Sequence, residues 1–290
     1  MIHSEMIHQS IDYIMKHLDE DIAIGDVAAH CHFSKYHFSR IFKAETGESL
    51  YAFIKRMKLE QSAIRLKLEK DTHISQVGID YGYSASNYSW AFRQHHHLSP
   101  GEFRQSTLTT TVPYPFQPNR LIHLPTFQEY DERIRVGILP DYRVICRRYI
   151  GNYIDLVDRW REFLEENRDQ ITEGTLLMER FYDDPTITRV ERCMVDLCMT
   201  ANGTGDAANT SVIKGGRYAV YRYEGAVRDI FTAIQGVFSI WLPGSDHQME
   251  DRYGLNIYRS MDPKNLQVVM DLCIPIKQSK NSEASPLIFP

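Results

Sequence analysis

Apolar positions in the first hundred residues recur at helical spacing, and the same pattern occurs twice, fifty residues apart. Residues 4–18 carry Ile7, Ile11, Ile14 and Leu18 on one stripe and predict an amphipathic helix. From Val27 to Phe103 the chain then pairs with itself without a gap. Val27 meets Val77, Phe33 meets Tyr83, Ser34 meets Ser84 and Phe38 meets Tyr88; Phe42 then meets Phe92, Ser49 meets Ser99 and Phe53 meets Phe103. Each copy predicts a short helix, a tight turn and a second helix opened by a serine able to cap it. Gly47 suits a left-handed helix end. Ser49 opens a longer helix to about Leu68, and Ser99-Pro100 supplies a cap followed by a proline at the first helical position.

The pattern dissolves into Thr, Pro and isolated aromatics after Thr107, which predicts a linker over 109–130, or an extended arm pinned by its apolar residues. Beyond it, short runs rich in Val, Ile and Tyr predict strands, and a second repeat appears about 75 residues apart. Arg143–Gly151 echoes Arg217–Gly225, and Val195–Cys198 echoes Met270–Cys273. Helical stretches lie around Trp160 and from Val227 to Trp241, followed by Tyr182 with Asp184-Pro185 and by Tyr258 with Asp262-Pro263. Each half reads as strand, helix, strand, strand. The expected fold is multidomain: an all-α domain with two helix-turn-helix units (1–108), then an α+β domain (131–277) whose two repeats form an antiparallel sheet with helices on one face, and a tail (278–290).

Composition changes this picture little. A chain of 290 residues suits two domains, each with enough apolar content for its own core. No apolar run is long enough to span a bilayer and no signal peptide opens the chain, so a cytoplasmic location is expected. Five cysteines without metal-ligand spacing predict reduced thiols, with Cys146, Cys193, Cys198 and Cys273 as small core residues. The net charge of -5 does not mark a nucleic-acid binder, and residues 1–108 are near neutral, with 12 Lys+Arg against 13 Asp+Glu. Any DNA affinity must come from local placement of charge.

That placement exists in the second helix of the first copy. Phe38, Ile41 and Phe42 form an apolar face, and Lys35, Tyr36, Ser39, Arg40 and Lys43 lie on the other side. A short helix exposing Arg, Lys, Tyr and Ser fits the groove-reading helix of a helix-turn-helix, and the duplication favours that over a solvated hairpin. The matching positions of the second copy are Ser86, Ser89, Trp90 and Arg93, with Trp90 placed either in the groove or packed between the units. His30/His32 and the run His95–His97 read as surface histidines, since adjacent helical residues do not face one another and no complementary ligand is spaced to join them.

On the runs DVAAHCHFSKYHFSRIFKAETGESLYAFIKRMKLEQSA and ISQVGIDYGYSASNYSWAFRQHHHLSPGEFR, the first domain resembles the AraC/XylS family of transcription regulators. The resemblance implies two helix-turn-helix units on one connecting helix, entering successive major grooves about 34 Å apart. Two departures stand out: Trp90 where the family commonly has Arg, and His97 where it usually has Gly. It also implies promoter DNA, a small-molecule effector and RNA polymerase as partners, and a monomer or homodimer with no membrane contact. On GGRYAVYRYEG, WLP and DLCIPI, residues 131–277 resemble GyrI-like effector-binding domains, which take small aromatic or cationic molecules in a cleft between repeats. Trp160, Tyr182, Phe231, Trp241 and Tyr258 are the candidate lining. Asn256 stands where that family often has a glutamate, which predicts a neutral or mixed polar-aromatic ligand and no proton shuttle. Neither a catalytic set nor a cofactor is expected. A small-molecule hydrolase or a protein-binding module tethered to DNA is the alternative.

Overall fold

A computed structural model describes residues 2–117, 119–201, 210–250, 252–262 and 264–277; the expected tail, 278–290, lies outside the described residues. The chain forms two compact units that divide between Leu108 and Thr109.

The first unit is helical: α1 (Ile2–Lys16), α2 (Ile24–His30), α3 (Lys35–Thr46), α4 (Leu50–Leu68), α5 (Ile74–Asp80), α6 (Ala85–His96) and α7 (Pro100–Ser106). The fifty-residue register survives in three dimensions, because α2, α3 and the start of α4 correspond to α5, α6 and α7. Even the ring packing repeats. Phe42 meets Phe53 edge-on at 5.3 Å, and Phe92 meets Phe103 edge-on at 5.5 Å. Helix α4 serves both copies. Its Phe53 and Met57 are buried towards the first half of the unit, while Leu59, Ala63 and Leu66 are buried further along, where Ser62 Oγ accepts from Tyr88 Oη at 3.0 Å. At 19 residues it is about 28 Å long at the usual helical rise. Midway, the buried Arg56 donates to Glu48 at 3.0 Å and to Glu60 at 2.8 Å, so a charge that would be costly alone is matched on both sides.

The second unit begins with an arm. Strands β1 (Thr111–Pro113) and β2 (Leu121–His123) pair antiparallel, and helix α8 (Phe127–Asp131) follows behind a capping box made by Thr126 and Glu129. Of the two expectations for this segment, the arm pinned by its apolar residues is the one adopted. Val112, Ile122 and Leu124 are apolar enough to leave water, and they bury against Phe231.

The rest is an eight-stranded antiparallel sheet with the order β3-β8-β10-β9-β5-β6-β4-β7. The strands are β3 (Ile134–Leu139), β4 (Tyr142–Ile150), β5 (Leu177–Phe181), β6 (Met194–Thr200), β7 (Thr210–Ile213), β8 (Gly216–Ala226), β9 (Gly254–Asp262) and β10 (Gln267–Pro275). Helix α9 (Leu156–Glu166) lies between β4 and β5 in sequence; α10 (Ile230–Gly236), continued by a π-helical turn Val237–Trp241, lies between β8 and β9. Each half has one more strand than its periodicity predicts, and that strand is exchanged. β3 pairs with β8 of the second half and β7 with β4 of the first, so the order is symmetric about the central β5–β9 pair. A Cβ on Gly151 or Gly225 would stand 2.6 Å from the hydroxyl of Tyr149 or Tyr223. The repeated Arg-Tyr-x-Gly thus records a tyrosine folded over a residue that must lack a side chain.

One cysteine expectation is corrected. Cys146 and Cys198 are directly opposed in β4 and β6, with Cα atoms 4.3 Å apart, and form a disulfide. Strand register, invisible as sequence spacing, brings them together; Cys31, Cys193 and Cys273 are buried and form no disulfide among the described residues.

Candidate functional site

Two surfaces bear on function, one in each unit. In the first, α3 buries Phe38 and Phe42 and turns Lys35, Tyr36, Arg40 and Lys43 to solvent, with Tyr36 90% exposed. Ser39 is half-buried and its hydroxyl donates to the Lys35 carbonyl at 2.7 Å, which leaves its oxygen free to accept. Helix α6 buries Tyr88, Ala91 and Phe92 and exposes Ser86, Ser89, Trp90 and Arg93. Trp90 is 64% exposed with the Lys55 ammonium 6.0 Å from its ring centre, so the packed alternative is not the one adopted. Sequence reasoning missed His37 and Asn87. Both are exposed in the first turn of their helices, and the fifty-residue register pairs them.

In the second unit, strand alternation sorts the candidates. Glu179 of β5 is the direct partner of Asn256 of β9, and Leu177 is the partner of Tyr258. These side chains point to the face that carries α9, where Trp160 and Phe163 pack with Ile145, Val195, Leu197 and Met199. Trp160 Nε1 donates to Glu179 Oε1 at 2.8 Å, Asn256 Nδ2 donates to Glu179 Oε2 at 3.0 Å, and the Tyr258 ring stands edge-on to Trp160 at 5.9 Å. Burial, reinforced by the Glu179 carboxylate, pushes the Tyr258 hydroxyl well above its ordinary pKa. Burial does the same to Tyr153, which also feels Asp183, Glu179 and Asp184. Both hydroxyls therefore remain protonated donors near neutrality. Because the carboxylate fixes the orientation of the Asn256 amide, Oδ1 is left as a buried acceptor with no partner among the described residues.

Asn256 is thus not a lost charge. A carboxylate stands across the strand pair from it, which removes the basis for expecting a neutral ligand. Glu179 was missed because its role depends on strand pairing; its single signal in the chain is a glutamate at an alternating position of an apolar strand.

Aromatic rings border this region. Both helices are entered through 3-10 turns, Tyr153–Asp155 before α9 and Val227–Asp229 before α10. Phe116 of the arm lies edge-on between Phe231 at 5.5 Å and Tyr153 at 6.4 Å. Deeper, Gln235 of α10 donates to Asp184 at 2.8 Å.

Two predicted members are elsewhere. Tyr182 follows Arg180 by two and therefore shares the opposite face of the sheet. Its hydroxyl donates to Asp196 at 2.7 Å and receives Arg148, inside an ion cluster. Trp241 is 1% exposed and donates to Asp131 at 2.8 Å as part of the packing beneath α8. Among the described residues no three His, Cys, Asp or Glu side chains are grouped to hold a metal, and no helix is long and apolar enough to cross a membrane.

Comparison with known proteins agrees with this division. Residues 27–106 match a helix-turn-helix domain family, and residues 134–277 match the GyrI-like small molecule binding domain. The chain is 32% identical over 104 residues to the regulatory protein PocR of Salmonella typhimurium, covering 36% of this chain and 34% of PocR. It is 22% identical over 246 residues to the transcriptional regulator Rob of the same organism, covering 80% of this chain and 83% of Rob. It is 29% identical over 105 residues to the regulatory protein SoxS, covering 36% of this chain and 97% of SoxS. The match to PocR thus spans about a third of that protein's length. The chain thus carries, in this order, an AraC-type helix-turn-helix domain and a GyrI-like small molecule binding domain.

Proposed function

We propose that this protein is a transcription regulator: α3 and α6 read promoter DNA, and the second unit senses a small aromatic molecule carrying an N–H or O–H donor. The observation that carries the first half is the duplicate exposure of two short polar helices on a shared rod, α4. One chain then presents both reading helices, so a monomer suffices to touch two consecutive grooves. Arg40 and Lys35 reach guanine edges or phosphates, Tyr36, Ser39, Ser86 and Ser89 contact base edges or sugar, and Lys43 and Arg93 hold the backbone. Trp90 stacks against sugar or a thymine methyl, since an exposed indole is costly to leave in water and Lys55 beside it draws in phosphate. RNA polymerase is the further partner that a promoter-bound regulator addresses, and action on DNA places the protein in the cytoplasm.

For the second half, the supporting observation is the buried triad of Trp160, Glu179 and Asn256, with the half-buried Tyr258 ring edge-on to Trp160. Ring faces supply contact area, and Asn256 Oδ1 is a buried acceptor that gains most from a ligand donor. The site senses its ligand and does not turn it over. Both Glu179 oxygens already accept hydrogen bonds, which makes it a poor proton acceptor. Regulation follows if the ligand binds one DNA-binding state better than the other.

Selection of bound sequences from random DNA tests the reading. The wild-type protein is expected to enrich a bipartite site with half-sites one helical turn apart. Arg40→Ala should lose about 1–3 kcal/mol on that site and relax preference at one position in one half-site. An equal loss on every sequence would make Arg40 a phosphate contact, and no enrichment would end the regulator reading.

A further inference from the structure

We propose that Phe116 is a resident plug in the mouth of the effector cleft, a ring that the ligand's own ring must displace. The inference rests on the cleft of Trp160, Glu179, Asn256 and Tyr258 being the effector site. Three observations carry it. Phe116 sits edge-on to two rings from different repeats, Phe231 at 5.5 Å and Tyr153 at 6.4 Å, so it fills an aromatic slot that neither repeat closes alone. Tyr153 also packs against the cluster that holds Trp160 and is joined by Tyr258, which places the slot next to the polar floor. Finally, the arm that delivers Phe116 is anchored on one side of the mouth. Tyr114 Oη donates to the Arg228 carbonyl at 3.0 Å, the Arg120 guanidinium lies 4.5 Å over the Tyr114 ring, and Val112, Ile122 and Leu124 bury against Phe231.

An apolar core on the second repeat with a single ring reaching towards the first is the arrangement of a strap. Phe116 is half-buried, so expelling it costs little contact area, and a ligand ring entering the slot recovers the same edge-to-face contacts. The net affinity is then the ligand's gain less the cost of moving the strap. The arm starts at Thr109, the residue after the first unit ends. Its release lengthens the free chain between the reading and sensing units, which is a direct route from occupancy to DNA binding.

The test uses the full chain without DNA and 9-aminoacridine, a fluorescent flat ring with N–H donors. Phe116→Ala is expected to lower its Kd at least threefold, and Trp160→Ala to abolish binding. Amides of Val112–Gln117 and Asn119–Leu124 are expected to exchange faster in the wild-type protein once the probe is bound. If Trp160→Ala abolishes binding but Phe116→Ala weakens it or leaves it unchanged, Phe116 is a roof or a bystander and the plug is wrong while the cleft stands. Slower arm exchange on binding overturns the plug in the same way. Binding that survives Trp160→Ala, or no binding by any of the proteins, removes the cleft reading and the plug with it.

Discussion

Four residues of the first unit show how the two copies diverged while their backbones did not. The turn of each helix-turn-helix needs a left-handed residue, His32 (φ 59) in one and Gly82 (φ 80) in the other. The end of each second helix needs another, Gly47 (φ 75) and His97 (φ 61). In both pairs, fifty residues apart, one copy has the residue that tolerates this backbone and the other has a histidine that pays a penalty of roughly 1 kcal/mol. His97→Gly and His32→Gly should each raise the stability of the first unit by about that amount, read as a later urea midpoint; a loss would mean that the imidazole makes compensating contacts. His96 responds to pH. Burial, with His95 adding to it, lowers its pKa from 6.5 to about 4, against weaker upward pulls from the Leu59 carbonyl and Glu60. The unfolded chain then takes up the proton first, so stability is unaffected above pH 6.5 and falls as pH drops from 6.5 to 4, by at most about 3 kcal/mol. In His96→Phe the urea midpoint should change less between pH 7 and pH 5 than in the wild type.

At the scale of strands, the face of the sheet opposite α9 is held by two ion clusters related by the repeat. Asp196 of β6 accepts from Arg148 of β4 and Arg180 of β5, and Asp271 of β10 accepts from Arg222 of β8 and Arg259 of β9. Burial alone would raise the pKa of Asp196, yet Arg148 and Arg180 hold its carboxyl far below the usual range. The clusters differ in exposure: the Arg148 side chain is 3% exposed and that of Arg222 is 44%. Removing an aspartate strands two arginines, and the cost follows how deeply they are buried. Asp196→Asn should therefore destabilise by about 3–5 kcal/mol and Asp271→Asn by clearly less, compared by thermal unfolding. Equal losses would show that both clusters are screened alike. Arg148, Asp196, Arg222 and Asp271 were visible in the chain as members of echoed runs, whereas Arg180 and Arg259 were not. The pairing was not visible either, because β4 and β6 begin 52 residues apart and only the ladder opposes Arg148 to Asp196.

Over the whole molecule, what was legible came from repetition. The fifty-residue register and the echo of about 75 residues predict two units, their helical and α+β characters, and the polar faces of α3 and α6, since periodicities of 3.6 and 2 are written locally. Helix existence, the Ser49 and Ser99 caps and the apolar sides of the reading helices needed no partner to be inferred. Strand exchange between repeats, the Cys146–Cys198 link, the folding of the 109–130 segment and the pairing of Glu179 with Asn256 each join residues far apart in the chain. Tyr182 and Tyr258 look equivalent in sequence but point to opposite faces, because alternation is counted from strand positions that pairing alone defines. Local pattern is thus enough to name the elements and their wet and dry sides. Which side chains share a cleft is decided by register and by the path of the chain between strands, and these are set by long-range burial.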